Sequence, residues 1–297
     1  MSYDEFSLFR ENAEEAGLVW RGPPLVARRF VAVEGQRRLS ALVWGGAEPR
    51  LALLHGGAQN AHTWDTVALA LGLPLVALDL PGHGHSDWRE GHDYAPTRLA
   101  TDVAEALRAL APRADLLVGM SLGGLTALCL AAGEPALVRR LALVDVTPGT
   151  DHAKAEPIAA FVRGPEVFES FDAILERTVR FNPRRSLSSL RRGVLHNARE
   201  LPDGRWTWRY DRTRDWKLGE SEGLLDFSPL WEAVGAVRAP LLLVRGGDSG
   251  VVGDEDVAEL LRRQPAARVE VVEGAGHSVQ GDRPLELARL LAGFLTA

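Results

Sequence analysis

"LLVGMSLGGL", Leu116 to Leu125, is an apolar run that ends in a serine ringed by glycines: Gly119, Ser121, Gly123 and Gly124. The stretch predicts a buried strand up to Met120, a sharp turn at Ser121 and a helix from Leu122 to Ala132. Glycines at 119 and 123 remove side chains that would collide in so tight a strand-to-helix turn. A serine held there presents its hydroxyl over the edge of a sheet. The helix that follows offers its free N–H groups and positive end to an anion forming beside that hydroxyl.

The flanking sequence repeats the strand-then-helix alternation. "RFVAVE" and "RLSALVWG" read as two strands joined by a turn at Glu34-Gly35. "LALLHGG", "PLVALDLPG", "DLLVGMS" and "RLALVDV" are short runs, apolar at successive positions, which suits strands covered on both faces. Between them, Pro96 to Ala109 has a helical period, with Leu99, Val103, Ala106 and Leu110 on one side. Alternating strands and helices imply a parallel sheet with right-handed crossovers. The alternation stops near Val146. It resumes at "PLLLVRGG" (Pro240 to Gly247), a helix from Glu255, "ARVEVVEGAGHS" and a last helix from Arg283. The intervening stretch is rich in aromatic residues and arginine, and a structureless loop of that length is improbable. Residues 1–146 and 228–297 therefore read as one core domain, and 147–227 as an inserted, mostly helical cap.

Composition narrows the function classes. The chain has 297 residues, 46% hydrophobic and 25% charged, enough for a large core. Its formal net charge of −6 argues against nucleic acid or an anionic membrane as the main partner. A lone cysteine, Cys129, excludes an internal disulfide and fits a reducing compartment. The acidic start of the chain lacks the basic and apolar regions of a signal peptide, and no apolar run is long enough to span a membrane. These features predict a cytoplasmic protein acting on a small molecule, and they say nothing of oligomeric state.

"GMSLG" matches the G-x-S-x-G nucleophile elbow. In its strand–turn–helix setting, from about Ala27 to the C-terminus, the chain resembles the α/β-hydrolases. "LLHGGAQNAHTW" (Leu53 to Trp64) is similar to that family's oxyanion loop. "DLPGHGHSD" (Asp79 to Asp87) is similar to its next strand-to-turn segment, and "GAGHS" (Gly274 to Ser278) to the loop of its catalytic histidine. The resemblance implies a mostly parallel eight-stranded sheet with helices on both faces. It makes Ser121 the nucleophile and His277 the general base. It puts the oxyanion donors at the backbone N–H of Gly57 and Leu122, with Ala58 the substitute for Gly57. His55, His83 and His85 are expected to shape loops. No cofactor and no metal are implied.

The acid that orients His277 stays open between two residues. The family commonly carries it three residues beyond a glycine after the seventh strand. Counting from Gly246 reaches Ser249, and Asp248 falls one residue early. The fold's second place for the acid is the end of the sixth strand, where Asp145 closes "LALVD". Register favours Asp145, with Asp248 the alternative. Asp254 and Asp256 read as helix N-terminal acids.

Several rival readings compete. "HGHSDW" resembles a zinc-binding H-x-H-x-D-H, but Trp88 stands in the last histidine's place. A serine at the elbow differs from the aspartate of haloalkane dehalogenases and epoxide hydrolases. Carbon–carbon bond hydrolases do use serine, but typically have Trp after the histidine, where this chain has Ser278. A non-catalytic receptor on the same fold is the reading from another class. Hydrolysis of an ester, lactone or thioester through an acyl-enzyme fits best. Trp206, Trp208 and Trp216 are candidates to line a pocket for an apolar acyl or ring compound. Arg191 and Arg192 are candidates to meet a substrate carboxylate.

Overall fold

The computed structural model describes residues 3–150, 152–212 and 226–296. Six strands precede the cap: β1 (Val26–Val33), β2 (Arg37–Trp44), β3 (Leu51–Leu54), β4 (Leu75–Leu78), β5 (Leu116–Met120) and β6 (Leu141–Val144). Three short strands lie in the cap: β7 (Val167–Phe168), β8 (Ala198–Glu200) and β9 (Trp206–Trp208). After it come β10 (Leu241–Gly246) and β11 (Arg268–Val272). The main sheet has eight strands in the order β1-β2-β4-β3-β5-β6-β10-β11. Pairing is antiparallel from β1 through β2 to β4 and parallel from β4 to β11.

The doubly apolar runs form the central strands because neighbouring residues face opposite sides of a sheet. Leu54, Leu117 and Leu143 join one apolar core with Leu99, Val103 and Leu128 of the helices Pro96–Leu110 and Leu122–Gly133. Leu53, Val118 and Val144 join the other with Val67, Leu287 and Leu291 of the helices Asp65–Leu71 and Pro284–Thr296. Each fully buried leucine among these contributes about 1.5–3 kcal/mol relative to exposure. In parallel register Met120 lies beside Val144, and Val144 beside Val244. Ser121, Asp145 and the end of β10 therefore come out side by side at one edge of the sheet.

Among its described residues, the segment 147–227 holds the helices His152–Val162, Phe171–Phe181 and Leu187–Asn197. It also holds an antiparallel sheet, β7-β9-β8. That sheet accompanies the helices of the segment. It rests on the tight turn at Asp203-Gly204, with Gly204 at φ 84°, and on the β-favouring "WTW" of β9. The cap core of Phe168, Ile174, Val194 and Trp208 includes Ala58 from the loop after β3. Cap packing is thus continuous with that loop. Among the described residues, no helix is long and apolar enough to cross a membrane.

Candidate active site

β5 delivers Ser121 to the turn at φ 51°, ψ −121°, a backbone conformation that non-glycine residues seldom adopt. Hydrogen bonds hold it there. The Ser121 N–H donates to Val144 O (3.2 Å), and its carbonyl accepts from Gly124 N (2.8 Å) and Leu125 N (3.0 Å). The glycines answer to close approach. A Cβ on Gly119 would run into Gly123 O, and one on Gly123 would lie 2.5 Å from both Leu54 O and His55 O. Only with both side chains missing can the helix start against the end of β3.

His277 follows β11. The Gly276 N–H donates to Asp282 Oδ2 (2.9 Å), which ties the loop to the short helix Val279–Asp282. His277 Nδ1 lies 2.8 Å from Asp145 Oδ2. Asp145 is fully buried, at φ 50°, with its N–H donating to Val244 O (2.7 Å). Its other oxygen, Oδ1, accepts from Gly246 N (2.9 Å), and Ser249 Oγ donates to Oδ2. A carboxylate only accepts, so Nδ1 carries the imidazole proton and Nε2 keeps its lone pair. Asp248 points elsewhere. Its half-exposed carboxylate pairs with Arg184 Nη1 of the cap (2.5 Å). The β10 turn thus carries Asp248 to the cap and brings Ser249 onto Asp145.

The loop after β3 is fixed by histidines. His55 Nε2 accepts from Leu80 N (2.9 Å), and Nδ1 donates to Gly56 O (2.7 Å). His83 Nε2 accepts from Ala58 N (3.2 Å), and Nδ1 donates to Pro81 O (3.0 Å). The Ala58 N–H is therefore engaged, and the Gly56 N–H donates to Gln59 Oε1 (3.1 Å). Among the described residues, the N–H groups of Gly57 and Leu122 have no acceptor; Leu122 follows Ser121, and Gly57 follows Gly56, where an added Cβ would lie 3.2 Å from Ser121 Cβ. Asn197 of the cap donates from Nδ2 to Ala58 O (2.7 Å), a contact with no sequence signal.

The residues compared with a zinc motif are committed to other partners. Burial, then Arg28, pushes the His85 imidazole down to about 4 and keeps it neutral, while the His85 backbone N–H donates to Asp79 Oδ2 (3.1 Å). Asp87 Oδ2 accepts from Arg38 N (2.8 Å). One buried trio elsewhere, His62, Asp65 and His196, brings potential metal ligands within 4.8 Å of one another. Asp65 Oδ2 there already accepts from His62 Nδ1 (2.9 Å). Asp256 and Asp254 stand at their helix start, where Asp256 Oδ2 accepts from Gly253 N (2.7 Å).

Ser121, His277 and Gly57 open into one cavity of about 660 Å³ between core and cap. Trp208 borders it, with Phe161 and Phe181. Trp206 instead packs edge-on against Phe171, ring centres 5.1 Å apart. Trp216 lies outside the described residues. Arg191 is exposed, away from the cavity. Arg192 reaches the N-terminal helix, donating to Asn12 Oδ1 (2.7 Å) and pairing with Glu15. Neither arginine is left to meet a substrate. Arg185, which motif reading passed over, borders the cavity.

Fold and site define an α/β-hydrolase. The profile of the alpha/beta hydrolase family matches residues 51–290, and the chain belongs to that family. It is 50% identical to the esterase Rv0045c of Mycobacterium tuberculosis, over 98% of this chain and 96% of that one. A solved structure of the same esterase superposes with a TM-score of 0.88 at 49% identity, covering 100% of both chains. An sn-1-specific diacylglycerol lipase, ABHD11 of Xenopus laevis, is 29% identical over 83% of this chain and 80% of its own.

Proposed function

We propose that this chain hydrolyses a carboxylic ester of a small molecule through an acyl-enzyme on Ser121. The observation that carries the reading is the bond from His277 to Asp145 beside a strained serine in the same cavity. A serine hydroxyl is a weak nucleophile until a base takes its proton. His277 Nε2 takes it as Oγ attacks the ester carbonyl. Asp145 holds the tautomer that makes this possible and stabilises the imidazolium that results. The carbonyl oxygen becomes an oxyanion and accepts from Gly57 N and Leu122 N. Loss of one such donor typically costs about 2.7–4 kcal/mol of transition-state stabilisation. As the tetrahedral intermediate collapses, the imidazolium gives its proton to the departing alcohol. Water, activated by the same imidazole, then attacks the acyl-Ser121 ester and releases the acid.

The cap, residues 147–227 in this reading, closes over the cavity and selects the substrate. The names of the relatives, an esterase and a lipase, support ester over carbon–carbon hydrolysis. The test is turnover of p-nitrophenyl esters of graded acyl length by wild type and Ser121→Ala, beside a ring-cleavage dienoate. Folded Ser121→Ala should lose about three orders of magnitude or more in kcat and resist labelling by a fluorophosphonate. Near-wild-type turnover by that variant would end the assignment.

A further inference from the structure

Three arginines of the cap border the cavity, Arg184, Arg185 and Arg192. Two are neutralised: Arg184 by Asp248 and Arg192 by Glu15. Among the described residues, no carboxylate forms an ion pair with Arg185. Its Nη2 donates to Ser189 Oγ (2.6 Å), and its Nε is buried without a hydrogen-bond partner. The guanidinium lies against the turn that follows His277. A Cβ added to Gly281 would come 3.0 Å from its Cζ. Burial dominates its surroundings and pushes the guanidinium down, while Asp282 and Glu15 oppose this only through longer-range attraction. A cation taken out of water without a contacting anion is strongly disfavoured, and ordinarily a partner supplies the missing charge.

We infer that Arg185 receives a carboxylate carried by the substrate, so that the preferred substrates are esters bearing a free carboxylate. The inference rests on the ester-hydrolase reading above. One unpaired positive charge complements a monoanion, and the planar fork of N–H donors matches carboxylate geometry. Arg185 lines the same cavity as Ser121 and His277, so one molecule would reach both ends.

The test compares charged esters with uncharged esters of equal length. One series places the carboxylate on the acyl side (p-nitrophenyl hemiesters of diacids), and the other on the alcohol side (acetoxyalkanoates). Wild type should favour the charged member at its best length by about tenfold or more in kcat/KM, through KM, as for a charge-assisted hydrogen bond. Arg185→Gln should abolish that ratio, Arg185→Lys should keep part of it, and Arg184→Gln should leave it standing. A ratio near one in wild type, or one unchanged in Arg185→Gln, overturns the inference. So does loss in Arg184→Gln alone. If no ester of either kind is turned over, the hydrolase reading fails and binding decides the arginine. Calorimetric titration of the charged hemiesters into Ser121→Ala, with and without Arg185→Gln, then supports the inference if affinity depends on Arg185. It refutes it if affinity does not, or if nothing binds.

Discussion

Replacing Asp145 by asparagine tests the candidate triad at its most informative atom. Asparagine also tolerates positive φ, so the backbone at 50° is retained. The carboxylate faces three donors: Gly246 N–H, Ser249 O–H and His277 Nδ1–H. An amide offers one oxygen and one NH2, so it cannot serve the two ends of that set as acceptors. Its NH2 pointed at Gly246 would oppose a fixed backbone donor. Pointed at His277, it meets an imidazole that can move its proton from Nδ1 to Nε2. The second arrangement is the lower in energy, and it leaves no lone pair facing Ser121. In a serine-protease triad the equivalent change costs about 10⁴ in kcat, or roughly 5.5 kcal/mol. Asp248→Asn loses only a half-exposed ion pair with Arg184, worth about 0–1 kcal/mol, and kcat should fall about tenfold or less. The assay is steady-state hydrolysis of a p-nitrophenyl ester, with thermal melts to show that both variants fold. If Asp145→Asn stays within about tenfold of wild type, or Asp248→Asn is the worse variant, the reasoning is refuted.

Ser249 already touches Asp145, so Ser249→Asp in the Asp145→Asn background should restore at least about tenfold of the lost kcat by supplying a carboxylate from the neighbouring strand end; no recovery in a folded double variant would show that His277 cannot be reached from there. Gly123→Ala forces a methyl against Leu54 O and His55 O, and should lower stability by about 1–3 kcal/mol or more and impair turnover. Gly133→Ala, at the open end of the same helix, should be neutral or stabilising by up to about 1 kcal/mol; equal melts for the two variants would contradict the close approach. The cap-to-core contact of His196 with His62 should make the melting temperature peak near neutral pH. Burial opposes charge on His62, yet Asp65 and Glu5 lift it to about 9, so its stabilisation is full below about 6.5 and lost as pH rises through about 9. Burial, then His62 and Arg28, hold His196 well below the usual histidine range, so its contribution is present above about 6.5 and lost as pH falls. Melts of His62→Asn should lose the alkaline decline, and those of His196→Asn the acid one; unchanged limbs would contradict the pairing.

Local patterns account for the parts of this protein that were legible in one dimension. Doubly apolar runs become central strands because nothing but burial on both faces suits them. "GMSLG" becomes an elbow because its glycines sit where Leu54, His55 and Gly123 backbone atoms crowd in. Those are consequences of side-chain size and polarity within a few residues, and they carried the family resemblance as well. The rest depended on where separate segments meet. Spacing favoured Asp145 over Asp248 by one residue of register but left both open, and the contact itself depends on how the β10 turn aims the adjacent side chains of Asp248 and Ser249. The cap sheet needs β7 to find β9 across some forty residues, a pairing no local propensity specifies. Sequence pointed to Arg191 and Arg192 and passed over Arg185. Only tertiary packing pairs Arg192 with Glu15, leaves Arg191 on the surface and turns Arg185 toward the cavity, because charge compensation is decided by neighbours distant in the chain.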